Sequence, residues 1–157
     1  MKTLVLGLGN PILGDDSVGL RVAQQLDATL SEQPEIDIDI EYWGGLRLME
    51  RMVGYERAII VDAICSGAPA GTIHILSPGD MPTQRSASAH DVNLPTALEV
   101  GRQAGAALPR EENITLVAIE AVEVLTFGES LTAEVEAAIP RAAQAVLAIL
   151  DLPAARA

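Results

Sequence analysis

The stretch LVLGLGNPILGDDSVGL, residues 4–20, constrains the fold of this chain more than any other. An apolar strand over Leu4–Leu6 runs into a glycine turn at Gly7 and Gly9. Asn10, a short loop and two acids, Asp15 and Asp16, follow. Glycine permits bends that a Cβ would obstruct. From Asp16 onward, Val18, Val22, Leu26 and Leu30 recur every four residues and make one face of a helix. Two carboxylates at the start of that helix stand at the positive end of its dipole. Strand, turn and helix in this order present a carboxylate at the mouth of a sheet, where open α/β folds keep their chemistry.

The remainder alternates in the same way. Ile36, Ile38 and Ile40 interleave with Asp37, Asp39 and Glu41, which predicts a half-exposed strand with acids on its wet face. Trp43-Gly44-Gly45 predicts a turn, and Leu46, Met49, Met52 and Val53 a short helix face. Ala58–Val61 is a continuous apolar strand ending at Asp62. Residues 66–71, rich in Gly, Pro and small residues, are too few for a parallel crossover, which needs a dozen or more. The next strand, Thr72–Leu76, is therefore expected to form an antiparallel hairpin with the one before. Ser77–Ser88 reads as a loop, and Leu94–Leu108 as a helix capped by Asn93 with Pro95 in its first turn. Ile114–Ile119 is another strand, and 127–131 a loop. Thr132 is placed to cap a last helix whose buried stripe is Val135, Ile139, Ala142, Val146, Ile149 and Leu150. Pro140 is expected to kink or split that helix. The pattern implies one domain over 1–152 with a frayed tail, 153–157. Its architecture is a three-layer α/β/α sandwich on a mixed, mainly parallel five-stranded sheet.

Composition narrows the function. The 157 residues carry 10 Lys and Arg against 22 Asp and Glu, a net charge of −12. Such a surface repels phosphate backbones, and the cations are scattered rather than clustered, which argues against nucleic acid. Aromatics are only 3%, so the core must be built mainly of Leu, Val, Ile and Ala. No apolar run approaches the roughly 20 residues of a membrane span. No basic region followed by an apolar stretch and a cleavage site opens the chain, which predicts no secretory leader. The single cysteine, Cys65, excludes an internal disulfide and a cysteine-cage metal site, and suits a cytoplasmic protein. With no basic residue or helix start beside it, Cys65 is expected to be a small buried residue. The hairpin edge is not strongly apolar, which predicts a monomer.

Three carboxylate or imidazole positions stand out. Asp16 opens the first helix, Asp62 closes the third strand, and His90 lies in the loop before a helix. If the strands are parallel, both acids sit at the carboxyl edge of the sheet, within reach of that loop. Two carboxylates and an imidazole make a three-donor site with open positions, suited to nickel or zinc. Taken singly, each has an ordinary reading: Asp16 as an N-cap, Asp62 as a turn-forming acid, His90 as a surface histidine.

Gly7-Leu8-Gly9-Asn10, Gly14-Asp15-Asp16 and Gly19, then Ile59-Ile60-Val61-Asp62-Ala63, then Ser88-Ala89-His90-Asp91, follow one another in a recognisable order. In this the chain resembles the hydrogenase maturation proteases, the endopeptidases that process nickel–iron hydrogenases. The resemblance implies the same sandwich fold. It implies cleavage of a C-terminal extension from a large-subunit precursor, with nickel already in that precursor as the recognition signal and no organic cofactor. It also implies that Asp16, Asp62 and His90 bind the metal and serve catalysis, with Asp15 the alternative to Asp16. Three departures are visible. Ser17 replaces a common Gly or Ala, and Asp91 a common Gly. Trp43-Gly44-Gly45 replaces an acid-containing glycine turn, which bears on substrate detail more than on the triad.

Other candidates are weaker. His74, between Ile73 and Ile75, suits a surface or packing role. Glu120 and Glu123 follow the last strand near the same edge and suit a solvated face. Ser66, Ser77, Ser86 and Ser88 lack a nucleophile-elbow context, which argues against a serine protease. Gly7 and Gly9 begin a dinucleotide fingerprint, with Glu41 placed for a ribose, but Ile12 and Gly14 break it. Peptidyl-tRNA hydrolase shares the Gly-Leu-Gly-Asn-Pro opening, yet the charge opposes tRNA. A non-catalytic nickel or hydrogenase chaperone using the same triad remains the alternative from another class.

Overall fold

In a computed structural model of the chain, which describes residues 1–80, 93–122 and 124–153, the opening strand is β1, Thr3–Leu8. A 3-10 turn over Gly14–Ser17 leads into α1, Val18–Leu30. Next come β2 (Ile36–Glu41), α2 (Gly45–Met52), β3 (Arg57–Ile64) and β4 (Ile73–Leu76). After them stand α3 (Leu94–Gln103), β5 (Ile114–Glu120) and α4 (Ala133–Ile149). The strands form one sheet in the order β2-β1-β3-β5-β4, with β4 alone antiparallel. Among the described residues no helix is long and apolar enough to cross a membrane.

Strand alternation builds two cores, one on each face. Val5, Ile59, Val61, Val117 and Ile119 pack against α1 and α4. Leu4, Leu6, Ala58, Ile60 and Leu116 pack against α2 and α3. This is the three-layer sandwich expected, and it explains why the central strands are apolar throughout: both their faces are covered. Among the described residues the buried hydrophobic ones are Leu, Val, Ile, Ala and two methionines, Met49 and Met52, with no aromatic ring among them.

Four expectations are corrected. The 62–72 connection does reverse direction, but β4 pairs with β5 and not with β3. The uniformly apolar β5 takes the position beside β3 that a hairpin partner would need, with Asp62 opposite Ala118. Mutual bonds, Gly71 N to Glu120 O at 2.8 Å and Glu120 N to Thr72 O at 2.9 Å, fasten the returning chain outside it. Gly7 lies within β1 rather than in a turn. Helix α3 stops at Gln103, where Gly105 adopts a positive φ of 86°. Helix α4 runs unbroken through Pro140, which is solvent-exposed, so the Glu136 carbonyl it leaves unbonded can be met by water. Asn93 caps α3 as expected, its Oδ1 accepting from Thr96 N at 3.0 Å. The expected loop beyond residue 80 and the tail beyond 153 lie outside the described residues.

The glycines of the opening stretch act by proximity. A Cβ on Gly19 would run into the carbonyl oxygens of Leu8 and Val61, and one on Gly7 into the Gly19 carbonyl and Ala23. Helix α1 thus lies directly on the backbones of β1 and β3. Gly19→Ala is expected to lower stability by about 3 kcal/mol, because the obstructing atoms are backbone and cannot swing aside. At Gly128 a Cβ meets nothing within 4 Å, so Gly128→Ala should stay within about 0.5 kcal/mol of the parent. Urea unfolding of both variants measures the difference, and similar midpoints would remove the close-contact explanation.

Candidate functional site

The carboxyl ends of β1, β2, β3 and β5 share one edge of the sheet, and the described residues singled out in the sequence gather there. The 3-10 turn bearing the Asp15-Asp16 pair lies across the end of β1. It can lie so close because residue 9 is glycine: a Cβ there would collide with the Asp16 carbonyl. Asp16 is partly buried, and its Oδ2 accepts from Asn10 N at 3.1 Å. Burial raises its pKa, and the Asn10 N–H only partly opposes this. Asp16 belongs to this turn and not to α1 itself, which begins at Val18.

Asp62 stands near the end of β3 rather than at its terminus, since the strand continues to Ile64. Pairing between β1 and β3 ends at Gly7 with Val61, so Asp62 is the first residue of β3 beyond that ladder. Its Oδ1 accepts from Ala63 N at 2.8 Å. Burial pushes its carboxyl well above the usual aspartate range, the negative charge of Asp16 pushes it further, and the Ala63 N–H opposes both. The two carboxylates therefore lie within electrostatic reach of each other, in a partly desolvated setting.

Asp15, adjacent in sequence, has the opposite surroundings. It is fully buried, and its carboxylate accepts from Val122 N at 3.0 Å and from Thr132 N at 2.8 Å. The Thr132 hydroxyl also bonds it, at 2.9–3.1 Å. Thr132 occupies the N-cap position of α4, but its hydroxyl is turned to Asp15 and makes no capping bond. Asp15 thus ties the start of α1 to the end of β5 and the start of α4. Of the two acids, Asp16 is the one left facing the edge.

Three other expectations change. Glu120 is not on a solvated face: it is 2% exposed, accepting from Ser66 N at 2.8 Å, from the Ser66 hydroxyl, and from His74 Nε2 at 3.1 Å. Burial works to raise its pKa, but the Ser66 and His74 contacts outweigh it and hold the carboxylate below its ordinary value. It anchors the 65–71 connection. Cys65 is exposed rather than buried. Glu41 is buried and accepts from Tyr42 N at 3.2 Å, with Arg47 Nε at 3.4 Å and Arg51 NH1 at 3.5 Å. Its carboxylate is therefore engaged within the protein rather than offered to a ribose. His90, Asp91 and Glu123 lie outside the described residues. Among the described residues, no three His, Cys, Asp or Glu side chains are grouped to hold a metal ion.

Comparison with known proteins identifies the relatives of the chain. The family model described as hydrogenase maturation protease matches residues 20–149. The hydrogenase 2 maturation protease of Escherichia coli K12 is 32% identical over 153 residues, covering 96% of this chain and 91% of its own. The hydrogenase expression/formation protein HupD of Rhizobium leguminosarum is 26% identical, over 95% of this chain and 74% of its own. Among solved structures, the hydrogenase maturating endopeptidase HybD from E. coli superimposes with a TM-score of 0.73 at 30% identity, covering 96% of this chain and 93% of that one. The hydrogenase maturation protease HycI from Thermococcus kodakarensis shares the fold at a TM-score of 0.71 and 23% identity, covering 96% of this chain and 92% of that one.

Two variants separate the neighbouring roles at this edge. Asp15→Ala leaves the Val122 and Thr132 N–H groups without their acceptor and should cost about 3 kcal/mol. Asp62→Asn should act in the other direction. An aspartate whose folded pKa is raised holds its proton to a higher pH folded than unfolded. Stability therefore falls as pH rises from the ordinary aspartate range through the raised value. A neutral amide in place of the carboxyl removes that loss. The variant should therefore melt higher than the parent at neutral pH and alongside it below the ordinary aspartate range. Melting curves across that pH span test this, and a lower midpoint for Asp62→Asn at neutral pH would contradict the burial account.

Proposed function

The chain belongs to the hydrogenase maturation protease family, and from that membership we propose that it removes the C-terminal extension of a nickel-loaded nickel–iron hydrogenase large-subunit precursor. It is an endopeptidase of hydrogenase maturation, and its nickel comes as part of the substrate. The observation that carries the site assignment is the pair of partly buried carboxylates, Asp16 and Asp62, held together at one sheet edge with raised pKa values. Perturbed carboxylates at the carboxyl edge of an open sheet are where catalysis is expected. We assign Asp16, Asp62 and His90 as the donors that complete the coordination of the substrate's nickel. His90 enters on the Ser88-Ala89-His90-Asp91 motif alone. The protein acts in the cytoplasm, as a monomer, on this one partner.

The chemistry follows from the donor set. Oxygen and nitrogen donors suit nickel(II), and two carboxylates match its charge. A metal-free precursor offers these groups nothing to hold, so cleavage waits for loading. Coordination then places the tail beside the same carboxylates, which converts recognition into orientation for hydrolysis. A carboxylate oxygen so placed can take the proton of the attacking water as general base and pass it to the leaving amine. The water oxygen bonds to the scissile carbonyl carbon, the C–N bond breaks, and the departing amine takes up a proton.

The test is the product mass after incubating the protein with nickel-loaded and nickel-free precursor. The loaded form should lose its extension and the unloaded form should stay intact. Asp16→Asn, Asp62→Asn and His90→Ala should each slow cleavage by about 100-fold or more. Asp62→Asn should do so while gaining stability. Equal cleavage of both forms would remove nickel from the recognition step. Tight binding of the loaded precursor without any cleavage would instead favour a chaperone.

A further inference from the structure

From Gly9 to Gly14, the loop that leads to the acids, every backbone N–H is committed. Gly9 N donates to Glu41 O at 3.1 Å and Asn10 N to Asp16 Oδ2 at 3.1 Å. Ile12 N donates to Asn10 Oδ1 at 3.1 Å, Leu13 N to Asn10 O at 3.4 Å and Gly14 N to Gly128 O at 2.9 Å. Pro11 has no N–H to give. On β3, Ala63 N is taken by the Asp62 carboxylate, and at the end of β2 Arg47 and Arg51 are paired with Glu41. Between Gly9 and Gly14 one donor is left over. Asn10 is held through its N–H, its carbonyl and its side-chain Oδ1, while its Nδ2, with two hydrogens, has no partner among the described residues.

The turn itself does not call for asparagine. Ile12 N needs a side-chain oxygen two residues back, and Asp or Ser supplies one as well. The backbone at residue 10 is not in the left-handed region, where asparagine is favoured. What asparagine adds is a neutral NH2 group. The bond from Ile12 also fixes which way the amide faces: Oδ1 is turned to Ile12 N, so Nδ2 takes the other side. Residue 10 is half-buried and one hydrogen bond from Asp16, so a fixed donor stands beside the first of the two carboxylates. Asn93 uses its Oδ1 in the same way, but it is exposed and caps a helix.

We propose that Asn10 is a catalytic residue of the cleavage, its Nδ2 donating to the scissile carbonyl oxygen as that oxygen becomes negative. The proposal rests on the protease reading above and adds the group that meets the charge formed in the reaction. As water attacks the carbonyl carbon, a carboxylate takes one of its protons and the C=O electron pair moves onto the carbonyl oxygen. Beside Asp16 and Asp62 that new anion faces acids. A preset neutral N–H lowers its energy without having to reorganise. When the intermediate collapses, the pair returns to the C=O bond, the C–N bond breaks, and the carboxyl's proton passes to the amine. Asn10 neither gains nor loses a proton. A donor that acts on charge present only in the transition state contributes to kcat rather than to KM.

The experiment is steady-state cleavage of nickel-loaded precursor by the parent, Asn10→Ser and Asn10→Asp, each read well below its melting midpoint. Both replacements keep an oxygen for Ile12 N and lack the NH2 group. Serine is neutral and aspartate has the shape of asparagine, so a misfolded serine variant still leaves aspartate to decide. Each should lower kcat about 100-fold, as removal of one oxyanion donor does, with KM within about twofold of the parent. Asn10→Ser should melt near the parent. A parental kcat in either variant would overturn the proposal: the amide would then serve its turn alone, with the substrate's nickel or another group meeting the oxyanion. A loss confined to KM would assign the amide to ground-state binding and overturn it too. A parent that does not cleave the precursor overturns the protease reading and the proposal together, whereas a cleaving parent with unchanged variants overturns the proposal alone.

Discussion

Helix α1 meets the sheet through backbone, and much of the site depends on that contact. Gly7 and Gly19 are the two residues without a Cβ that let the helix settle onto the carbonyls of Leu8 and Val61. Once it is there, the 3-10 turn in front of it has one place to go, across the end of β1, and Gly9 clears that place of side chain. The Asp15-Asp16 pair is thereby set astride the sheet edge. Successive residues of a tight turn point in different directions. One carboxylate drops into the interior among Val122 and Thr132, and the next stays at the mouth.

That division explains how much could be read from sequence. The layers, the mainly parallel sheet and the placing of Asp16 and Asp62 at one edge follow from apolar periodicity and from where each strand stops. These are local signals. The acid pair was legible as a pair, but which member faces in depends on Val122 and Thr132, 107 and 117 positions further along the chain. The same holds for Glu120. Read alone, an acid after a strand suits solvent. It is buried because β4 lies beside β5 and brings His74 to it, and because the 65–71 connection returns Ser66 to the same point. The short connection after Asp62 dictates a reversal, whereas the partner strand is not set locally. Loop length fixes direction, while strand order is decided by which strand most needs both faces covered.

The aromatic residues show the same boundary between local and global information. Their scarcity in the composition correctly indicated an aliphatic core. Where the few rings went was not legible, because Trp43 and Phe127 lie in loops far apart in the chain that only the sheet order brings to one edge. Glycine and proline near them signalled loops and nothing more.

Asp16 and Asp62 differ from the other buried acids in how their charge is met. Asp15 has backbone N–H groups and a hydroxyl, Glu120 has Ser66 and His74, and Glu41 has two arginines. Among the described residues the edge pair is met by one N–H each, and the charge of Asp16 raises the pKa of Asp62. Such a pair is poised to take up a cation. On the proposed reading, a nickel ion carried in by the precursor relieves the repulsion and draws off any shared proton, since a metal ligand must be deprotonated. On that reading the relief comes only from a loaded substrate. A nickel-free precursor leaves the two carboxylates repelling each other. Discrimination between loaded and unloaded precursor therefore lies in the two acids.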